Sequence, residues 1–368
     1  MRRLLLIGGG HAHVHVLDAL AREPIPDTEV TLVSPFPRQI YSGMLPGWIA
    51  GHYSIEQCAI QIDLLAKRAG IRFVQSACIE LDIEAKQVRC ANGQTIPFDI
   101  ASIDSGPTVD LSFAPGALEY TLPIRPIEGF VTAWPGLLER ARLATSGFKL
   151  AIVGDGAAGT ELAFAIQQRF ALEKLANARV TLIGSNAQPL SGLPARLRKN
   201  AVSLLKQRGI KHLASRRAIE FFPGQIRLSD STTIACDACL VVTGAAAPAW
   251  PAASGLACDE NGFIRVTPTL QSSSHPFVFS AGDVAAYADP RPKSGVFAVR
   301  AGPVLANNLR AACTGNTMQR WEPQGNALYL ISTGKRHALA AWGALSTSGN
   351  WVWRWKDRID RRFMQRFS

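Results

Sequence analysis

Two glycine-rich turns, each reached from a short apolar run and left through a helical stretch, predict an α/β chain whose parallel sheets are covered by helices on both faces, a three-layer arrangement. Leu4, Leu5, Leu6 and Ile7 lead into Gly8, Gly9 and Gly10, while Leu150, Ala151, Ile152 and Val153 lead into Gly154, Asp155 and Gly156. At 368 residues the chain is long enough for about two domains, one around each turn.

Composition narrows the class. Apolar residues make up 47% and charged residues 18%, which describes a globular protein without a long disordered tract. The best apolar run, 239–257, is interrupted by Gly244, Pro248, Pro251 and Gly255, so no membrane-spanning helix is expected. The first seven residues have the charge and apolarity of a leader, but glycines and histidines follow at once, and a strand of the mature protein is expected instead. The 7 cysteines, odd in number and scattered, fit reduced thiols and a cytoplasmic location. A net charge of +11 favours an anionic partner, yet no nucleic-acid module is recognisable and nucleic-acid binding is not expected.

In the first turn, Gly8 and Gly10 take the first two places of G-x-G-x-x-G, where missing side chains permit a sharp bend and close approach of a pyrophosphate. Free amides and the positive end of the following helix would meet its charge. His13 holds the third place, where glycine normally lets helix and strand pack closely. Its ring is therefore expected to push the helix outward or turn to the sheet edge. No metal site is expected from His11, His13 and His15, because residues two apart on a helix diverge. Whether His11 and His13 touch a cofactor or fill space stays open.

The second turn is complete: Gly154, Gly156 and Gly159 precede a helix with Glu161 in its first turn. Two dinucleotide turns in one polypeptide imply a donor and an acceptor of hydride or electrons. The acid that should bind the adenosine ribose at the end of the next strand is missing from both units; Ser34 stands there in the first, Gly184 and Ser185 in the second. Losing the second acid leans slightly toward NADPH, with Arg196 and Arg198 as distant phosphate ligands. A second site that binds weakly or not at all stays open.

Farther along, the apolar run at 277–281 ends in Gly282 and Asp283, and an aspartate at the carboxyl end of a strand is placed to accept hydrogen bonds from a polyol. A plain turn aspartate is the alternative. A helix is expected to start near Ser294 and Gly295, its amino end offering amides and positive potential to the pyrimidine edge of a reduced flavin.

With these four motifs in this order, residues 1–310 resemble the FAD-dependent pyridine nucleotide-disulfide oxidoreductase superfamily. The resemblance implies two Rossmann-like domains: an FAD domain from 1–115 and 250–325, an NAD(P) domain at 116–249 inserted in it, and a C-terminal segment at 326–368. It also implies non-covalent FAD, NADH or NADPH as reductant, and ping-pong transfer. Gly8, Gly10 and His11 would border the FAD pyrophosphate, Ser34 the adenosine ribose and the Cys78 backbone the adenine, with Arg38, Gly106 and Gly282 nearby. Asp283 would hold the ribitol, and Gly295 with Val296 the flavin ring. Gly154, Gly156, Gly159, Glu161, Ser185 and Gly244 would form the coenzyme site. No side chain is assigned as catalytic acid or base, since the flavin carries the chemistry.

Within the superfamily the chain is most similar to the branch of type II NADH dehydrogenases and sulfide:quinone reductases. The stretches 41–53, 291–303 and 330–343 are closer still to a flavoprotein subgroup associated with selenophosphate synthetase. That branch implies a quinone or another small acceptor. Thiol chemistry is not implied, because Cys58 stands alone and Cys236 and Cys239 are spaced for opposite faces of a strand. Arg300 and Ala301 stand where the type II dehydrogenases carry a glutamine-rich stretch.

At the C-terminus, Trp351, Trp355, Ile359, Phe363 and Phe367 recur at four-residue spacing as one apolar stripe, with Arg354, Arg358 and Arg361 on the far side and Lys356, Arg362 and Arg366 interrupting it. Two readings stay open. Residues 351–368 either touch the inner face of an anionic membrane peripherally or pack on their own protein or a second subunit.

Overall fold

In the computed structural model, which describes residues 1–367, β1 (Arg2–Ile7) enters the first glycine turn and α1 (His11–Arg22) leaves it. β2 (Thr28–Ser34), β3 (Arg72–Gln75), a three-stranded antiparallel insert within 78–97 and β4 (Ile100–Ile103) complete the unit. The chain then repeats the plan. β5 (Leu122–Pro123), β6 (Lys149–Val153), α2 (Ala157–Leu172), β7 (Arg179–Ile183), α3 (Ala195–Gln207) and β8 (Lys211–Leu213) follow, then a second antiparallel insert within 218–235 and β9 (Ala238–Val241). β10 (Val278–Ser280) returns to the first sheet, and α4 (Gly295–Thr314) packs on α1. β11 (Leu328–Ser332), β12 (Ala338–Trp342) and β13 (Leu345–Gly349) form an antiparallel sheet, followed by α5 (Asn350–Arg366). Ser368, the last residue of the C-terminal segment, lies outside the described residues.

The first sheet has the order β10-β4-β1-β2-β3 and the second β5-β9-β6-β7-β8, with every pairing parallel. A parallel sheet is covered on both faces, so its central strands read as unbroken apolar runs, and Leu4, Leu5, Leu6 and Ile7 are all buried. Each glycine turn sits at the carboxyl end of the central strand of its sheet, β1 or β6, from which the chain leaves in opposite directions across the sheet. That switch point is where open α/β sheets bind ligands. The two crossover stretches, where the chain passes between the sheets after β4 and again after β9, pair with each other: Thr108 N–H donates to Ala246 O at 2.8 Å and Ala246 N–H to Thr108 O at 3.0 Å.

His13 departs from the expectation. Its ring does not turn to the sheet edge; it is fully buried between α1 and β4, an interior strand of the sheet. Nδ1 lies 2.6 Å from Gly8 O, which only accepts, so Nδ1 carries the proton and Nε2 accepts from the Ser102 hydroxyl at 2.8 Å. The small Ser102 makes room that the absent third glycine would otherwise provide.

The C-terminal stripe also needs correction. Residues four apart advance about 40° beyond a full helical turn, so five of them wrap roughly 160° around the axis. Trp351 (55%), Trp355 (38%) and Ile359 (39%) are exposed, while Phe363 packs on Tyr41 and Phe367 meets His15 with ring centroids 4.9 Å apart. The buried face of α5 is Val352, Trp353, Lys356, Asp360 and Met364, an arc that includes an ion pair. No helix among the described residues is long and apolar enough to cross a membrane.

Candidate functional site

The first glycine turn lines a cavity of about 350 Å³. Gly8, Gly10 and His11 border it with Ser34, Arg38, Cys78 and Gly106 from the first unit and Asp283 and Gly295 from the returning segment. Residues separated by most of the chain are thereby brought to one wall. Val296 does not line the cavity, because one residue further along α4 points about 100° away. Gly282 stands just behind it, where a Cβ would lie 2.5 Å from Asp104 Oδ1.

Sterics enforce the turn. Gly8 has φ +93°, and a Cβ on it would lie 2.5 Å from Asp104 O; at Gly10 a Cβ would lie 2.3 Å from the Asp104 carboxyl group. Asp104 was not singled out from the sequence, although it lies at the start of the first crossover, directly after β4. Its Oδ2 accepts the N–H groups of Ala12 (2.7 Å) and His13 (3.0 Å), capping α1 from the inside. Burial pushes its carboxyl up to about 7, against the two amides that favour the ionised form. Burial likewise pushes His11, His13 and His15 down to about 4, leaving all three rings neutral at neutral pH. No group of side chains that could hold a metal ion exists among the described residues.

Ser34 is buried and its hydroxyl donates to Phe36 O at 3.1 Å. Arg38 is held at the cavity wall by Glu128, whose Oε1 accepts from Nε at 3.0 Å. Asp283 Oδ2 lies 3.5 Å from Arg125 Nη2, and burial raises its carboxyl above the usual range while the Arg125 charge opposes the shift. Arg125, in the loop after β5, and Glu128, in the first turn of the helix Ile127–Leu143 that follows, carry no local sequence signal for this cavity; only the fold delivers them here. These features fit an adenine dinucleotide carrying a polyol. The glycine turn and the α1 terminus suit a pyrophosphate, Asp283 accepts from hydroxyls, and the amino end of the 20-residue α4 faces the cavity at Gly295.

At the second turn, a Cβ on Gly159 would lie 1.8 Å from Gly154 O, so the third glycine is required for α2 to close on the turn. Cβ atoms at Gly156 or Gly244 would meet nothing within 4 Å, leaving that side of the turn open. Ser185 is exposed just beyond β7. Glu161, expected in the coenzyme site, turns instead toward the C-terminal sheet, where its Oε1 accepts the Ser332 N–H at 2.7 Å. Burial pushes this carboxyl up to about 7, with the Lys356 charge opposing. The physical reason is the helix phase: two residues past Gly159, the side chain leaves the turn and meets the segment packed across α2.

Lys356 completes a second cluster that sequence reasoning missed. Its Nζ donates to Gly43 O (2.6 Å) and Asp360 Oδ2 (2.7 Å), and the Tyr41 hydroxyl donates to Asp360 Oδ1 (3.2 Å). Burial works to lower the lysine, but the charges of Asp360 and Glu161 outweigh it and hold Lys356 above its ordinary range. The cysteines stand apart from this chemistry. All are free, and burial raises Cys58, Cys236 and Cys239, which leaves them as poorly reactive thiols.

Residues 2–302 match the family model described as pyridine nucleotide-disulphide oxidoreductase. Among curated proteins, the chain is 24% identical over 329 residues to the NADH dehydrogenase-like protein YutJ of Bacillus subtilis, covering 88% of this chain and 87% of that one. It is also 24% identical over 332 residues to the alternative NAD(P)H-ubiquinone oxidoreductase C1 of Arabidopsis thaliana, covering 79% of this chain and 63% of the longer plant protein. The solved NDH2 of Plasmodium falciparum, in complex with NADH, superposes with a TM-score of 0.82 at 13% identity, over 100% of this chain and 97% of that one, which establishes the shared fold. The chain thus belongs to the pyridine nucleotide-disulphide oxidoreductase family and is an FAD-dependent oxidoreductase.

Proposed function

We propose that the chain takes hydride from NADH or NADPH onto FAD and passes the electrons to a quinone, in a ping-pong sequence in which oxidised coenzyme leaves before the acceptor binds. One observation supports this most. A single chain builds a cavity along its first glycine turn, flanked by Asp283 and the α4 terminus, and a second glycine turn open at Gly156 and Gly244. Bound FAD would supply the hydride-accepting centre. Gly8, Gly10 and His11 would hold its pyrophosphate, Ser34 the ribose, the Cys78 backbone the adenine, Asp283 the ribitol and Gly295 the ring. Gly154, Gly156, Gly159, Ser185 and Gly244 would take the coenzyme.

A quinone that gains two electrons must also gain two protons. Glu161, kept protonated up to about 7 by burial, and the cationic Lys356 hold protons close together, one carbonyl behind Ser42, which lines the cavity. The name of the plant relative, an NAD(P)H-ubiquinone oxidoreductase, supports the same acceptor. Anaerobic mixing tests the reading. NADH or NADPH should bleach the flavin and a quinone should restore the colour. Failure to bleach overturns the reductant, and recolouring by soluble acceptors alone overturns the quinone.

Peripheral membrane contact through α5 belongs to the same proposal. Trp351 and Trp355 stack at 6.3 Å on the exposed side, beside exposed Ile359, with Trp342 (61%) and Leu345 (76%) exposed on the neighbouring hairpin and Arg354 and Arg358 among them. Deleting the helix would strip the core of Lys356 and Phe367, so the test keeps the chain whole. Trp351→Ser, Trp355→Ser and Ile359→Ser together should cut sedimentation with anionic liposomes at least about tenfold, given about 2 kcal/mol per buried aromatic or aliphatic side chain. Equal pelleting of both proteins would remove the membrane claim.

A further inference from the structure

The acid missing from the end of β7 has a substitute. Gly184 follows β7 where that acid would stand, and a Cβ on it would lie 1.8 Å from Asp155 Oδ2. Asp155, the middle residue of the second glycine turn, therefore sends its carboxylate directly beneath the strand end. Its Oδ2 lies 3.1 Å from His212 Nε2 on β8, and its backbone carbonyl accepts from Leu190 N–H at 2.8 Å and the Thr160 hydroxyl at 3.0 Å. Both side chains are nearly enclosed, 5% exposed for Asp155 and 11% for His212. Two of the nearby cations point elsewhere. Arg216 donates its backbone N–H to Gly184 O at 2.9 Å, but its guanidinium pairs with Asp230. Arg196 lines a separate cavity with Asn200 and Ser346.

We infer that Asp155, oriented by His212, selects the coenzyme through its adenosine ribose. The carboxylate accepts hydrogen bonds from a free 2′-hydroxyl and repels a 2′-phosphate, so the second site takes NADH in preference to NADPH. This rests on the second turn being the coenzyme site, as proposed above. It reverses the slight lean toward NADPH that the sequence gives, because the acid comes from within the glycine turn and not from the strand end. Glycine at 184 is then part of the same device, since any larger residue would displace the carboxylate.

The holoenzyme is titrated anaerobically with each coenzyme, and flavin bleaching is read. Wild type should use NADH at least about tenfold more efficiently than NADPH, the scale of one unfavourable charge contact. Asp155→Asn keeps the shape and removes the charge; it should raise the NADPH-to-NADH efficiency ratio about tenfold by the same reasoning. Should that variant fail to fold, competition on wild type decides, where ADP-ribose should outcompete its 2′-phosphorylated form by about the same factor. Equal use of both coenzymes, equal competition, or an unchanged ratio in a folded Asp155→Asn overturns the inference and leaves the coenzyme site standing. Absence of bleaching by either coenzyme overturns the site itself.

Discussion

Asp283→Ala should purify without the visible bands of bound flavin. The carboxylate is buried in the cavity wall, reached from the end of β10, and lies 3.5 Å from Arg125. A hydroxyl bonded to a charged acceptor gains about 1.5–3 kcal/mol, which corresponds to roughly 10–150-fold in affinity for each such bond lost. Arg125 cannot replace the acceptor, because a guanidinium only donates. Misfolding is separable from lost binding. Burial raises the Asp283 carboxyl, so its charge disfavours the cofactor-free fold, and the variant without FAD should melt no lower than wild type without FAD. Asp283→Asn retains one acceptor oxygen and should load partially. A yellow, fully loaded alanine variant refutes the role.

Lys356→Met should be the most destabilising single change in the C-terminal segment, by about 3–5 kcal/mol, because it leaves a buried carboxylate without its partner. Lys356 bridges Gly43 O and Asp360 Oδ2 and faces Glu161, so its removal unsettles the loop at 41–44, α2 and α5 together. The deficit should depend on pH with a definite sign. Without the cation, Asp360 and Glu161, already raised by burial, rise further in the folded state. Groups whose folded pKa exceeds the unfolded value bind more protons when folded, so stability falls as pH rises. The loss should therefore be smaller at pH 5 than at pH 8, read from denaturant midpoints. Lys356→Met combined with Asp360→Leu should recover most of it, since a hydrophobic pair replaces the ion pair at little cost. A pH-independent loss, or no recovery in the double variant, would mean that charge burial is not the cause.

The parts of the site that follow a strand were legible in the sequence. Gly8, Gly10, Gly154, Gly156 and Gly159 are read from a local rule, strand then tight turn then helix, and the structure confirms the turns and the steric reasons for four of these glycines. Asp283 was legible as the residue at a strand end, and Gly295 as the start of a helix. Asp104, Arg125 and Glu128 were not, because the first two arrive at the cavity from loops and Glu128 from the first turn of the helix Ile127–Leu143, and no local periodicity or spacing aims any of them at it. Where His13 finds its space was not legible, because a missing glycine says that space is needed, not where it will be found; Ser102, on a strand 89 residues away, supplies it.

Short-range periodicity and turn chemistry alone determined that this is a parallel α/β chain with two dinucleotide turns, since both depend on neighbours within about twenty residues. Tertiary structure alone decided where charges end up. It turned Glu161 away from the coenzyme turn, buried Lys356 on a helix that reads as amphipathic, and placed the Asp155 carboxylate under Gly184. The energy of a buried charge depends on every element that excludes water around it, and no local stretch of sequence specifies that enclosure.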